Sequence, residues 1–337
     1  MNRNPSGLLF SQCIDGFVKY KTAEGLSQRT VDSYELVLNK WVEKMGDRPI
    51  NKVMPNDVRD HMAYLRTDYV PHTFAKANPS GEPSIPKLSP KTLRNHWITY
   101  KAFFGWAATE FKIKNPMVDI PGPKYKTAPV TAFSQEDIDA MIKACTYTRE
   151  SNPVNRHNFV TRRPTAKRDE AMILFLLDTG LRASELCHLK IGEVDMKTGK
   201  VIIKHGDEGG AKGGKGRTVF IGKSTRRVVW RYLVDREDRD DPEAPIFLNR
   251  GSHSFNPNSL RHLIVRLAEK ANVKNAHPHK FRHTFAISYL RAGGDVFTLQ
   301  ALLGHSSLDM VRHYAQIAEM DIERMHRKAS PVDNMRR

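Results

Sequence analysis

Apolar residues recur at helical spacing along almost the whole chain, and only two short segments alternate in the manner of strands. Phe10, Ile14 and Phe17 begin this helical pattern, and similar stripes follow in both halves of the chain. Strand character is confined to residues 200–204 and 218–221, on either side of a glycine-rich turn. A doubly wound sheet needs strands that alternate with helices throughout, so a Rossmann-type fold is excluded. The sequence predicts a mainly α fold with one small antiparallel β-sheet.

A proline-rich segment divides this pattern into two parts. Residues 116–129 contain four prolines, as is typical of a linker between domains. A chain of 337 residues is also longer than one ordinary domain. We therefore predict a helical domain over residues 8–120, a second, mixed domain over residues 130–325, and a C-terminal tail over residues 326–337.

The charge balance indicates a polyanionic partner. The chain has 54 Lys and Arg against 37 Asp and Glu, a formal net charge of +17. The basic excess is spread over both halves of the chain and is not a detachable tail. A folded protein with this balance most often binds nucleic acid. A generically basic protein would show the same balance, so charge alone leaves the partner open.

Cysteine usage and hydropathy favour a cytoplasmic protein. Cys13, Cys145 and Cys187 are odd in number and far apart, which suits a reducing compartment. The longest fully apolar run, residues 171–177, is far too short to cross a membrane. The first residues lack an apolar signal core. We expect no membrane partner.

Three short segments carry residues suited to chemistry. They are TGLRASEL at 179–186, HPHKFRHT at 277–284, and LLGHSS at 302–307, which is followed by a tyrosine nine residues after its histidine. The candidate residues, in chain order, are Arg182, Glu185, His279, Arg282, His305 and Tyr314.

Each candidate also has an ordinary structural explanation. Arg182 and Glu185 could form an ion pair at the cap of a surface helix. His279 could cap a helix while Arg282 covers its apolar surface. Tyr314 could be a core residue. Taken singly, these explanations are the more economical ones.

The combination points to phosphoryl transfer through a covalent protein–phosphate intermediate. Arginines neutralise the non-bridging oxygens of a phosphate, where charge collects in the transition state. Tyrosine can attack phosphorus and can also leave again, which makes such an intermediate reversible. Two arginines, two histidines and a tyrosine supply these functions together.

The same segments resemble the tyrosine recombinases, also called the phage integrase family. The resemblance rests on TGLRASEL, HPHKFRHTFA, LLGH and the spacing from His305 to Tyr314. It extends over nearly the whole chain, because the N-terminal helical segment is similar to that family's core-binding domain. It implies a two-domain DNA clamp, with residues 130–325 as the catalytic domain.

The resemblance also implies a role for each candidate. Arg182 and Arg282 would hold the scissile phosphate, and His279 and His305 would contact it. His279 would also be a candidate for taking the tyrosine proton. Tyr314 would attack to give a 3′-phosphotyrosine and a free 5′-hydroxyl, and Glu185 would orient Arg182.

The remaining role in that family belongs to a lysine that protonates the leaving 5′-oxygen. Lys212 occupies the corresponding position in the glycine-rich turn, and Lys215 is the alternative. The turn also imitates a nucleotide-binding loop, with Gly209 five residues before Gly214 and then Lys215. Gly216 stands where a P-loop has Ser or Thr, and a strand rather than a helix follows, so that interpretation fails.

The family further implies the assembly and its partners. Four protomers would act on two double-stranded DNA recombination sites as a homotetramer, with accessory DNA-bending or excisionase proteins as further partners. Neither a metal nor another cofactor would be required, and the protein would associate with the nucleoid. The short N-terminal segment indicates an Xer-like enzyme or a compact mobile-element integrase. The alternatives are a type IB topoisomerase-like nicking and resealing enzyme, or a DNA-binding relative without catalysis.

Overall fold

The structure, a computed structural model, describes residues 7–70, 87–125, 131–148, 160–204, 216–304, 314, 326 and 330–335. The chain divides into two compact units, Met1–Ala128 and Pro129–Arg337. The described residues are mostly helical, with one two-stranded antiparallel sheet, which confirms the predicted fold class. No helix among them is both long and apolar enough to cross a membrane.

The first unit is built from helices. Their bounds are α1 (Phe10–Ala23), α2 (Gln28–Met45), α3 (Pro55–Thr67) and α4 (Pro90–Phe111). A glycine follows each of the first two helices: Gly25 comes after α1 and Gly46 after α2, with φ angles of 78° and 80°. Ser89 caps α4, because its hydroxyl accepts a hydrogen bond from the backbone N–H of Thr92 at 3.1 Å.

Aromatic side chains fill the core of this unit. Trp41 is fully buried and stacks on Phe10, with the two ring centroids 5.7 Å apart. The ring of His61 also contacts this indole, with the centroids 4.8 Å apart. Such pairs stabilise a core beyond the area that they bury. The other buried aromatic residues of this core are Phe17, Tyr100, Phe103 and Phe104.

The second unit holds the remaining elements. The helices before the sheet are α5 (Gln135–Thr146), α6 (Ala166–Thr179) and α7 (Ala183–His188). The strands are β1 (Lys200–Ile203) and β2 (Arg217–Phe220). The helices after the sheet are α8 (Lys223–Leu233), α9 (Pro257–Lys270), α10 (Pro278–Arg291), α11 (Val296–Leu303) and the short α12 (Pro331–Met335).

The two strands pair in the antiparallel register expected of a hairpin. Lys200 lies opposite Phe220, and Ile203 lies opposite Arg217. Val201 and Val219 face each other and are buried in the core of the unit. Side chains alternate between the two faces of a strand, so Arg217 shares the inward face with Val219. The glycine-rich turn of the sequence, with Lys212 and Lys215, lies outside the described residues.

Helix α6 lies at the centre of this unit and sets the direction of the chain that follows it. It is buried along most of its length and packs against α5, α8 and α10. It ends at Gly180, whose φ of 61° is a left-handed conformation that favours glycine. A Cβ atom there would lie 2.5 Å from the ring of Phe285 on α10. Glycine is therefore required at this point, and the chain turns sharply to present Arg182.

Candidate active site

Arg182 lies at the N-terminus of α7, where Glu185 binds it twice. The backbone N–H of Arg182 donates to Oε2 of Glu185 at 2.8 Å. Its guanidinium Nη1 donates to Oε1 of the same carboxylate at 2.8 Å. The Arg182 side chain remains 31% exposed, whereas that of Glu185 is fully buried. Glu185 thus fixes the orientation of an arginine that can still reach a ligand.

Arg217 is a second partner of this carboxylate. Its Nη1 and Nη2 donate to Oε1 and Oε2 of Glu185 at 2.8 and 2.7 Å. Its Nε donates to the backbone carbonyl of Leu302, at the end of α11, at 2.7 Å. A planar guanidinium suits such two-point binding, and lysine could not reproduce it. Arg217 therefore connects β2, α7 and α11 at one point.

The charges around Glu185 determine its protonation state. Burial alone would raise the pKa of its carboxyl group. The hydrogen bonds and charge of Arg217, together with those of Arg182, outweigh burial and lower that pKa to about 2. Glu185 is therefore a carboxylate at every physiological pH and cannot serve as a proton donor there.

Arg282 lies deeper in the protein, where two helices end. It is 1% exposed. Its Nη1 donates to the carbonyl of Gly180, after α6, at 2.9 Å, and its Nη2 donates to the carbonyl of Leu303, in α11, at 2.6 Å. Carbonyls at helix C-termini lack partners within their helix and attract cations. The position of Arg282 is thus fixed by the fold itself.

One hydrogen-bond donor of Arg282 nevertheless lacks a partner among the described residues. Its Nε is buried and has no hydrogen-bond partner among the described residues. Burial, and then the neighbouring charges of Arg182 and Arg217, lower its pKa to about 10, which leaves it protonated at neutral pH. A buried cation beside two further cations favours the binding of an anion.

Gly304 brings two of the arginines together. Its φ is 63°, and a Cβ atom there would lie 3.1 Å from Cδ of Arg217. Its carbonyl accepts a long hydrogen bond of 3.4 Å from Nη2 of Arg182, next to the Leu303 carbonyl that Arg282 binds. The glycine of the LLGH segment therefore lets the end of α11 approach the guanidinium groups of Arg182 and Arg217 closely.

Tyr314 is completely buried beside this group. It lies in a small apolar cluster whose other buried members are Ala286, Ile287, Leu290, Leu299 and Leu303. Its hydroxyl is 2.8 Å from Nδ1 of His283. Burial raises the pKa of the Tyr314 phenol, and Arg282 acts in the opposite direction. Tyr314 is thus buried, as a core tyrosine would be, and it also lies next to the arginines.

The two histidines of α10 differ in exposure. His279 is exposed, and His283 one turn later is half-buried, with their ring centroids 4.3 Å apart. The alternative in which His279 caps α10 is wrong: the cap is His277, whose Nδ1 accepts from the backbone N–H of Lys280 at 3.1 Å. Arg282 does not cover an apolar helix surface either, because it is buried and binds two carbonyls.

The structure brings four of the predicted site residues together, and it places His279 against His283, whose ring contacts that of Tyr314. Arg182, Glu185 and Arg282 share one cluster, and Tyr314 adjoins it. His305, Lys212 and Lys215 lie outside the described residues. Sequence reasoning missed Arg217 and His283. Their only signals are position, one at the start of β2 and one directly after Arg282.

Within the described part of the site, three guanidinium groups surround one carboxylate, a local balance of +2. Arg182 is exposed enough to bind a ligand, and Arg282 has an unsatisfied donor. A phosphate diester is an anion with paired oxygens that suits such donors. Tyr314 lies close enough to Arg282 to interact with its charge, and a tyrosine hydroxyl is a group that can act as a nucleophile.

Comparison with known proteins is consistent with this chemistry. The tyrosine recombinase XerA of Thermococcus kodakarensis is 26% identical over 325 residues, which cover 96% of this chain and 98% of that protein. The tyrosine recombinase XerC of Leptospira interrogans is 28% identical over 322 residues, which cover 94% of this chain and 92% of that protein.

The fold also matches solved structures. The integrase of transposon Tn1549, solved in complex with a circular intermediate DNA, superposes with a TM-score of 0.68 at 20% identity, over 94% of this chain and 99% of that one. A lambda integrase dimer bound to a core site gives 0.65 at 14% identity, over 92% and 78%. Residues 133–320, more than half of the chain, match the Phage integrase family. That span contains every candidate site residue, and the chain belongs to the phage integrase family.

Proposed function

We propose that this chain catalyses site-specific DNA recombination, by breaking and rejoining DNA strands through a 3′-phosphotyrosine at Tyr314. The observation that carries the proposal is the arrangement of Arg182 and Arg282, which bind carbonyls of consecutive residues next to Tyr314. In this proposal one phosphate contacts both guanidinium groups. The XerA and XerC relatives are named tyrosine recombinases, which supports the same activity.

The arginines act on the phosphate. In the attack, charge spreads over the non-bridging oxygens, and fixed cations in a site with little water stabilise it most. Glu185 contributes indirectly, because it holds Arg182 and Arg217 in place while remaining ionised. His279 is exposed and its ring contacts that of His283; with His305, it contacts the phosphate in this proposal.

The reaction exchanges one phosphate ester for another. The Tyr314 oxygen forms a bond to phosphorus, the bond from phosphorus to the 5′-oxygen breaks, and Lys212 supplies a proton to that oxygen. Since the intermediate keeps the ester bond, a 5′-hydroxyl from another strand can reverse the reaction and join the strands. The bond energy is conserved throughout.

The partner is double-stranded DNA, bound at recombination sites by a homotetramer. The net charge of +17 supports a polyanionic partner, and the Tn1549 and lambda integrases were solved with DNA. Residues 8–120 form the core-binding domain, residues 130–325 the catalytic domain, and residues 326–337 a tail. The division of the chain between Ala128 and Pro129 supports these boundaries. Accessory proteins bend or direct the DNA.

The test is covalent capture on a nicked suicide substrate, which traps the intermediate because the short cleaved strand diffuses away. Tyr314→Phe should bind DNA normally and form no covalent adduct. Tyr289→Phe, a change on α10, is the matched control and should form the adduct at the wild-type rate. Adducts that persist in Tyr314→Phe would exclude Tyr314 as the nucleophile.

A further inference from the structure

His283 lies between the exposed histidine of the site and the proposed nucleophile. Its Nδ1 is 2.8 Å from the Tyr314 hydroxyl, and its ring contacts that of His279 edge-on, with the centroids 4.3 Å apart and the planes at 75°. The centroids of His283 and Tyr314 are 5.5 Å apart. The phenol of Tyr314 thus contacts a basic nitrogen of His283. None of the catalytic roles proposed above involves His283.

A phenol needs such a partner. Tyrosine normally titrates near pH 10, so almost none of it is ionised at neutral pH. Burial of Tyr314 makes ionisation harder still. Its proton must leave as the oxygen attacks phosphorus, and a base can take it only from within hydrogen-bond distance. Imidazole titrates close to neutral pH and suits this transfer.

We infer that His283 is the general base that takes the proton of the Tyr314 hydroxyl during DNA cleavage. This inference rests on the proposed function of Tyr314. In the tautomer with its proton on Nε2, His283 accepts the Tyr314 hydroxyl proton at Nδ1. The O–H bond of Tyr314 breaks as its oxygen bonds to phosphorus, and His283 becomes an imidazolium. When the strand is rejoined, the imidazolium returns the proton to the departing tyrosine oxygen.

This role separates the two histidines of α10. His279 is exposed and can face a phosphate, whereas His283 is half-buried and contacts the nucleophile. Their spacing of four residues places both on one side of the helix. The expectation that His279 takes the tyrosine proton is thereby replaced by a division of roles between the two residues.

Two substitutions separate basicity from packing. His283→Asn retains an acceptor close to the position of Nδ1 but cannot take up a proton at neutral pH. His283→Phe retains the ring and removes the acceptor as well. Both should bind DNA normally and cleave a nicked suicide substrate about 10²- to 10⁴-fold more slowly, the usual contribution of a general base. His262→Asn, an exposed position on α9, is the control and should cleave at the wild-type rate.

A more acidic nucleophile provides the decisive measurement. Replacement of Tyr314 by a fluorinated tyrosine lowers the pKa of the phenol, so less help from a base is needed. It should restore cleavage by His283→Asn at least tenfold more than it changes the rate of the protein with His283 intact. A substrate with sulfur in place of the bridging 5′-oxygen assists the leaving group only, and it should leave the His283→Asn defect unchanged.

Other outcomes would overturn the inference. Wild-type cleavage by His283→Asn would show that no base acts at this position. Faster cleavage by His283→Phe would show that the contact restrains Tyr314 in an inactive position. If His283→Asn fails to fold, the same comparison is made with His283→Gln. Failure of the proposed function itself is recognised separately, because Tyr314→Phe would then still form adducts.

Discussion

Arg217 and Glu185 bind each other through two parallel hydrogen bonds, with Nη1–Oε1 at 2.8 Å and Nη2–Oε2 at 2.7 Å. Neither side chain is more than 7% exposed. The carboxylate of Glu185 also binds Arg182. The position of Arg182 in the proposed phosphate clamp therefore depends on Glu185, which does not itself need to touch DNA.

Arg217→Ala should destabilise the second unit by about 3–5 kcal/mol, because it leaves Glu185 buried with one of its two cationic partners removed. Arg231→Ala is the matched control. Its ion pair with Glu170 has a side chain that is 48% exposed, so its loss should cost about 0–1 kcal/mol. Urea unfolding of the full chain measures both. Equal losses of stability in the two variants would show that the buried ion pair contributes no more than the exposed one.

Gly304→Ala should slow DNA cleavage by more than its loss of stability explains. A left-handed alanine costs about 1–2 kcal/mol wherever it occurs. At Gly304 the new methyl group would also lie 3.1 Å from Arg217, whereas at Gly25, with φ of 78°, it would meet nothing within 4 Å. Gly25→Ala should therefore lose similar stability and cleave normally. Equal cleavage rates in the two variants would show that the close approach of Gly304 to Arg217 does not affect cleavage.

Lys212, rather than Lys215, is expected to protonate the leaving 5′-oxygen. Lys212→Ala should slow cleavage about 10²- to 10⁴-fold, the usual contribution of a general acid. A substrate with sulfur as the bridging 5′-atom needs no proton and should restore cleavage to Lys212→Ala, but not to Arg182→Ala. Rescue of Lys215→Ala, with Lys212→Ala unrescued, would exchange the roles of the two lysines.

Acid should weaken the first unit through two buried histidines. Burial lowers the pKa of His61 and of His96 to about 4, from an ordinary value of 6.5. The unfolded chain binds these protons first as the pH falls, so stability is lost between pH 6.5 and 4, by about 3 kcal/mol for each histidine. Above pH 6.5 the effect vanishes.

The measurement is urea unfolding followed by tryptophan fluorescence, since three of the four tryptophans lie in the first unit. His61→Phe keeps an aromatic ring against Trp41 and cannot titrate, so its stability should fall less steeply below pH 6.5. An unchanged pH dependence in His61→Phe would rule out this origin.

DNA binding should weaken steeply with salt. Each phosphate contact contributes a slope of about −0.9 in the logarithm of affinity against the logarithm of salt concentration, because bound counterions are released. A clamp with six or more contacts would lose about 10³-fold between 50 and 200 mM salt. Fluorescence anisotropy with a duplex measures this. An affinity that hardly changes would argue against extensive backbone contact.

Local signals in the sequence predicted most of the fold. Ser89 and Ser134 each stand directly before a helix, and their hydroxyls accept backbone N–H bonds at 3.1 Å in each case. Both strands were placed within one residue at each end. These features depend on neighbours a few residues away, so the sequence contains the information directly.

The chemical segments identified Arg182 and Arg282, and the packing around them required the structure. Arg217 contacts residues 32 and 85 positions away along the chain, and no local pattern encodes such a contact. His283 follows Arg282 directly, yet its contact is with Tyr314, 31 residues later. Long-range partners arise from the way α10, α11 and β2 come together, which periodicity does not specify.

The excess of guanidinium groups around Glu185 links the stability of the fold to its surroundings. In the free protein, Arg182, Arg217 and Arg282 repel one another, as the lowered pKa of Arg282 reflects. Added salt relieves this repulsion little, because Arg217 and Arg282 are buried and salt screens buried charges much less than exposed ones. The same salt competes with the DNA backbone and weakens the complex. Ionic strength therefore acts mainly on the complex with DNA, and a DNA phosphate at this site would act as a stabilising ligand of the protein.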